Sequence, residues 1–273
     1  SGDEKRHIVE YITQMRLGDP DAAPDVAWCE GPAAEFTALD ESQLTGWGHD
    51  TRRYVSADVA GFDRSQIGDL ELKWSFGFPA STRARSQPTI AMEAVFVGCQ
   101  DGTVYAFDLE TGCVRWQFAA RAEVRTGITL GKRGPEGIPT AYFGDIIANL
   151  YALDATTGEL VWQTSPDEHH SATLTGTPAF ANGNLYVPVS SLEVVTAANP
   201  EYACCTVRGH VMAVNGEDGA VLWDSYAIPD APISTKNTKA GTKIFGPSGA
   251  PVWTSPTIDA ERNLLIFGTG ENY

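Results

Sequence analysis

Cys204 and Cys205 stand side by side in EYACCTVRG (201–209), within a 273-residue chain that has five cysteines. Two thiols with no residue between them reach only their own neighbourhood, so the pair cannot staple distant parts of a fold. It is either a local device at a site or a stiffener of its own loop. Of the other three, Cys29 and Cys113 are expected to bridge, which leaves Cys99 as a buried strand thiol and implies an oxidising compartment. His169 and His170 are also adjacent. Neighbouring side chains diverge and no third His or Cys stands at metal-ligand spacing, so they read as a solvated loop. No Cys-x-x-Cys-His occurs, so no haem is attached to this segment.

The charge balance narrows the partners. Nineteen Lys and Arg face 35 Asp and Glu, a net charge of −16, which repels phosphate backbones and anionic membrane surfaces and points to small ligands or cations. Nucleic acid is not an expected partner. No apolar run approaches the roughly 18 residues that a membrane span needs. The first residues, SGDEKRHIVEY, lack the apolar core of a signal peptide, which leaves the compartment open because a leader can be removed.

The elements that must position these residues come from repeats. GTVYAFDLETGCVRW (102–116), ANLYALDATTGELVW (148–162) and GHVMAVNGEDGAVLW (209–223) share a frame that ends in Gly, three residues and Trp, and the Trp residues are 46 and 61 positions apart. Units of this size built from short alternating runs read as four-stranded blades of a β-propeller. In the first unit, 87–91 and 94–98 are strands, 103–108 alternates with period two, and 113–118 closes the blade. The turn DLETG supplies a Gly where a positive φ is required. Trp116, Trp162 and Trp223 fall on outermost strands, where a flat ring can pack on Ala and Gly of a neighbouring repeat; they read as scaffold.

The ends differ. Residues 1–18 place Ile8, Ile12 and Met15 at helical spacing, and 19–69 read as a linker and an irregular lead-in. From 70 to 273 the chain reads as part of a propeller. LELKWSF (70–76) resembles the outer strand of a blade whose other strands are missing, and 255–273 gives two inner strands. Three full blades and parts of two others are therefore expected, with open edges that another part of the propeller or a second chain would cover.

The repeats resemble the tryptophan-docking motif of the quinoprotein alcohol dehydrogenases: Ala-x-Asp-x-x-Thr-Gly-x-x-x-Trp is intact at 106–116 and recognisable at 152–162. The third departs more, with Asn215 for Asp and Asp218 for Thr. TLTGTP (173–178) with VPVSSLE (187–193), and APVWTSPTIDAERNLLIFGTGEN (250–272), are similar to that family's cofactor loops. RSQPT, EVRTGITLG, ACCTVRG and GAPVWTSPTID resemble its polyvinyl alcohol dehydrogenase branch, in which a cytochrome c domain can precede the propeller and end in a helix like 1–18. The resemblance implies an all-β, eight-bladed propeller carrying pyrroloquinoline quinone and a calcium ion.

It also implies a site. Cys204 and Cys205, as a disulfide, would cover one face of the quinone and Trp253 the other, an arrangement in which a planar, polarisable ligand gains contact on both faces. Glu193 would be a calcium ligand, with Glu271 or Asn272 as the second. Arg85, Arg125, Thr175, Ser190 and Arg208 would satisfy the carboxylates and carbonyls of the quinone. The implied reaction is alcohol oxidation, of polyvinyl alcohol or a primary or secondary alcohol, with electrons passed to cytochrome c in the periplasm or outside the cell. The family's catalytic base lies beyond the Gly-Thr-Gly segment, so no base is named, and this polypeptide alone is expected to be inactive. Propeller scaffolds of outer-membrane assembly share such repeats without a cofactor, and a protein-interaction scaffold is the alternative reading.

Overall fold

Each complete repeat folds as an antiparallel sheet with its strands in chain order. The computed structural model describes residues 26–40, 46–48, 53–79, 81–165 and 167–273; the helix expected over 1–18 lies outside them. Blade one is β1 (Thr89–Ala91), β2 (Ala94–Gly98), β3 (Thr103–Asp108) and β4 (Val114–Ala119). Blade two is β5 (Thr129–Arg133), β6 (Ile138–Gly144), β7 (Leu150–Asp154) and β8 (Leu160–Thr164). Between blades two and three lies the two-residue strand β9 (Ala172–Thr173). Blade three is β10 (Ala179–Ala181), β11 (Asn184–Ser191), β12 (His210–Asn215) and β13 (Val221–Tyr226), and β9 pairs with the last two residues of β11. A hairpin of β14 (Ile233–Asn237) and β15 (Lys243–Gly246) follows, then β16 (Thr257–Asp259) and β17 (Leu264–Ile266), the expected inner pair of a further blade.

The repeat frame works through two local devices. The first is the turn between the third and fourth strands. Asp108 Oδ1 accepts from the N–H and hydroxyl of Thr111 at 2.8 and 2.7 Å, and Gly112, at φ +73°, donates to the Asp108 carbonyl. Asp154 and Gly158 repeat this arrangement. In the third repeat Asn215 accepts from Glu217 N at 2.8 Å and Gly219 donates to its carbonyl, so the exchange of Asp for Asn keeps an oxygen acceptor and the turn survives.

The second device is the tryptophan. Trp116 Nε1 donates to the Ala155 carbonyl of the next blade at 2.9 Å, and Trp162 Nε1 to the Gly216 carbonyl at 3.1 Å. Their rings cover Gly158 and Gly219, where an added Cβ would lie 2.8 Å from the indole. Each glycine therefore serves both the left-handed turn and the ring that lies on it. Residues 70–76 form no strand in the structure, yet Trp74 makes the same contact, donating to Leu109 O at 3.1 Å and covering Gly112. The resemblance to a closing strand held for the ring and not for the ladder.

The core lies between blades. Phe96, Ile128, Phe143, Tyr151 and Leu153 pack with Trp116 between blades one and two, and Tyr142, Leu150, Leu174, Leu185 and Val187 with Trp162 between two and three. Each such side chain contributes about 1.5–3 kcal/mol on burial. Cys29 and Cys113 form the expected disulfide, tying the lead-in to β4, while Cys99 is free and buried. Among the described residues, no helix is long and apolar enough to cross a membrane.

Candidate functional site

The starts of the inner strands are stitched together across blades. Thr89 Oγ1 donates to Ile128 O and Thr129 Oγ1 to Pro178 O, both at 2.6 Å, at corresponding points of successive blades. Gly127 N donates to Thr177 Oγ1 at 2.7 Å and Thr177 N to Ser255 Oγ at 2.9 Å. These bonds bring the loops ahead of β5, β10 and β16 to one place. A Cβ on Gly176 would lie 2.9 Å from Thr254 O, so the backbone after Thr175 runs against the backbone after Trp253.

The end of β11 joins the same region. Val189 O accepts from Val252 N at 3.1 Å, and Ser190 pairs with Thr173. Glu193 follows at the start of a single helical turn, Glu193–Thr196, with its N–H donating to Ser191 Oγ at 2.8 Å. Its side chain is fully buried. An unpaired carboxylate there would be prohibitively costly, and the loop of the cysteine pair provides the donors: Tyr202 OH at 2.9 Å, Thr206 N at 2.9 and 3.0 Å, and Val207 N at 2.8 Å. Cys204 and Cys205 form a disulfide, with Cys205 buried. The loop then runs beside 249, with Gly249 N donating to Val207 O and Gly209 N to Gly249 O, each at 2.8 Å. On the other side of this strip, Ala250 N donates to Glu271 O and Tyr273 N to Ser248 O.

Hydrogen bonds thus link Ser190, Glu193, the cysteine-pair loop and the strip leading to Trp253 at one end of the blades, and the close approach of Gly176 to Thr254 brings Thr175 there. Trp253 itself is 57% exposed. Arg125 stands ahead of β5, where its Nη2 donates to Glu123 Oε2 at 2.9 Å while its buried Nε has no partner among the described residues. Arg83 donates twice to the same carboxylate, at 3.1 and 2.9 Å, and with Arg125 holds Glu123 down to about 2. Arg85 occupies the matching place ahead of β1 but is exposed. Arg208 turns away: its guanidinium lies 3.8 Å over the Tyr226 ring and donates to Ile228 O and Pro229 O. Thr173 Oγ1 and Ser248 Oγ are buried without a protein partner among the described residues.

His170 is exposed, as expected of a solvated loop, whereas His169 is half-buried, and both rings have partners. His169 Nε2 lies 2.9 Å from Thr206 Oγ1 and His170 Nε2 lies 3.0 Å from Tyr202 OH, and the two rings stack at 4.5 Å. Adjacency forbids a shared metal but not contacts to two residues of one loop. Burial pushes the His169 imidazolium below its usual range, with Glu193 nearby acting in the opposite sense. Arg83, Glu123, Tyr202 and Thr206 also escaped the sequence reading. Tyr202 and Thr206 flank the cysteine pair within three residues, which was the available signal.

For a flat polyacid the fit is favourable: a guanidinium Nε, two hydroxyls without partners and an exposed indole are available. For a cation on Glu193 it is not. A carboxylate offers about four lone-pair sites, and these are taken by the loop. Glu271 and Asn272 are exposed, and no group of three His, Cys, Asp or Glu gathers as a metal site among the described residues.

A propeller-repeat family model, PQQ_2, described as outer membrane protein assembly factor BamB, matches residues 50–195 and 139–250. The chain belongs to this PQQ-repeat propeller family. Within it, the chain is 32% identical over 248 residues to a polyvinylalcohol dehydrogenase of Pseudomonas sp., covering 90% of this chain and 38% of the relative. It is 34% identical to the polyvinylalcohol dehydrogenase of Sphingopyxis sp. (strain 113P3), covering 91% of this chain and again 38% of the relative. The chain therefore spans under two fifths of these relatives. The quinohemoprotein alcohol dehydrogenase structure from Comamonas testosteroni superposes with a TM-score of 0.64 at 23% identity, over 92% of this chain and 39% of that one. A europium-containing methanol dehydrogenase gives 0.63 at 19%, over 85% and 43%. Both show the same fold.

Proposed function

We propose that this segment carries the first part of the quinone site of an alcohol dehydrogenase that uses pyrroloquinoline quinone. The observation that carries the reading is the junction of the Cys204–Cys205 loop with buried Glu193, at the same end of the blades as Thr175, Ser190 and the strip leading to Trp253. A protein-interaction scaffold has no need of such a junction beside partnerless Arg125 Nε and Thr173 Oγ1. The names of the relatives point to the same chemistry.

In this reading the chain's residues bind and orient. Arg125, held at one end by Glu123, offers its free N–H to a carboxylate, and the hydroxyls of Thr173, Thr175 and Ser190 meet carbonyl oxygens. Trp253 would supply a flat face for the ring system, and the disulfide a compact polarisable surface with no proton to lose. The quinone, when bound, would accept two electrons from the alcohol. Glu193 holds the loop that bears the disulfide. Calcium is the cation of the resemblance, but the Glu193 donor set does not fit it as the carboxylate stands, so no step is routed through it. The substrate is a primary or secondary alcohol or polyvinyl alcohol, the acceptor a cytochrome c, and the place the periplasm or the exterior. No residue of this chain is assigned the role of the catalytic base.

The test adds pyrroloquinoline quinone to the chain, with calcium and with a chelator, and follows the absorbance of quinone retained by the protein. Saturable retention supports the reading. A folded propeller that retains no quinone under either condition would leave the scaffold.

A further inference from the structure

Glu193 is not held by its loop alone. Ser171 N donates to His169 Nδ1 at 3.1 Å, so the neutral ring carries its proton on Nε2 and donates it to Thr206 Oγ1. The Thr206 hydroxyl is then free to donate to Glu193 Oε1, 3.4 Å away. On the second branch Tyr202 has one hydroxyl proton, which goes to Glu193, an acceptor only; His170 Nε2 must therefore donate to the Tyr202 oxygen. Two stacked imidazoles thus feed two hydroxyls that converge on one buried carboxylate. Hydrogen bonds in such chains polarise one another, so each imidazole strengthens the bond beyond it.

We propose that His169 and His170 are positioning residues for the disulfide loop, acting through Thr206 and Tyr202 to fix the Glu193 carboxylate and, with it, the backbone of Thr206 and Val207 on which the Cys204–Cys205 face depends. The segment that carries them is itself tied to the carboxylate's strand, since Leu192 N donates to Ser171 O at 2.9 Å and Ala172 and Thr173 pair with Ser191 and Ser190. The histidines and the loop therefore move as one body. The consequence for quinone binding rests on the proposed function; the consequence for the loop does not.

The experiment makes His169→Phe, His170→Phe and the double variant in the full chain, with His169→Gln as the conservative rescue because its amide N–H2 can occupy the Nε2 position. Hydrogen exchange of the Thr206 and Val207 amides is the first readout, and quenching of tryptophan fluorescence by added quinone the second. The expected result for His169→Phe is exchange about tenfold faster in residues 202–207, the ratio expected for losing roughly one neutral hydrogen bond, with exchange in β2, β6 and β11 unchanged. His170→Phe is expected to act in the same direction, and His169→Gln to restore the wild-type rate. Quinone affinity should fall in parallel in the Phe variants. Unchanged exchange at 202–207 in the folded double variant would overturn the proposal. So would loss of protection across all blades in His169→Phe that His169→Gln does not rescue, because that is a purely structural role. Faster loop exchange in a protein that binds no quinone in any form would keep the positioning role and sink the dehydrogenase reading.

Discussion

Glu193 carries the most concentrated chemistry in the chain, because one buried carboxylate meets three residues of the disulfide loop. Replacing it by Gln keeps one acceptor oxygen and turns an N–H2 toward backbone N–H groups. The expected cost is about 2–4 kcal/mol, read as a lower denaturant midpoint, together with loss of quinone binding. If stability is unchanged, Glu193 does not hold the loop. How far this was readable from sequence differs residue by residue. VPVSSLE singled out Glu193 through its likeness to the family's cofactor loops, and Cys204 and Cys205 stood out because adjacent cysteines are rare. The contact between them was not readable, since the loop between them has no periodicity that fixes its path. The contacts of His169 and His170 were not readable either, since adjacency argues against a shared metal but says nothing about bonds to Thr206 and Tyr202, 37 and 32 residues away.

Among the elements, the turn glycine and the docked tryptophan form a unit that spans two blades. Gly158 sits at φ +73° beneath Trp116, so Gly158→Ala adds both left-handed strain and a clash with the ring. About 2–4 kcal/mol of destabilisation is expected, measured by urea unfolding, and Trp116→Ala should remove most of the clash component when the two are combined. A cost that simply adds in the double variant would contradict the docking account. This device was legible in sequence because its spacing recurs. The β14–β15 hairpin was not, since it forms a separate two-stranded sheet that no other repeat has and its strands are largely exposed.

The loops ahead of β1 and β5 are joined by the Arg83–Glu123–Arg125 cluster, which gives a pH dependence with a definite sign. The arginines depress the Glu123 carboxyl from 4.5 to about 2, so its contribution is complete above pH 4.5 and is lost as the pH falls through about 2. Its size is on the order of 3 kcal/mol at most, reduced by solvent screening at the part-exposed Arg83. Glu123→Gln should flatten that part of the acid unfolding curve and leave the curve above pH 5 parallel to wild type; an unchanged acid limb would show that the cluster does not couple to folding.

Over the whole molecule, the repeats made the propeller plain before any coordinates, because each blade repeats the same alternation, turn and tryptophan. The site was legible as a set of loops at one end, and less so as individual partners. Arg208 shows why: its place after the cysteine pair suggested an anchor, but the ring of Tyr226 and two carbonyls at the exit of β13 take its guanidinium. The central claim is that these loops together make one face for a flat polyacid. Equilibrium titration of the full chain with pyrroloquinoline quinone, followed by tryptophan fluorescence, tests it most directly. The account predicts saturable one-to-one quenching that is weakened about tenfold or more by Trp253→Ala and again by Arg125→Ala. Absence of saturable binding, or binding untouched by either substitution, would contradict it.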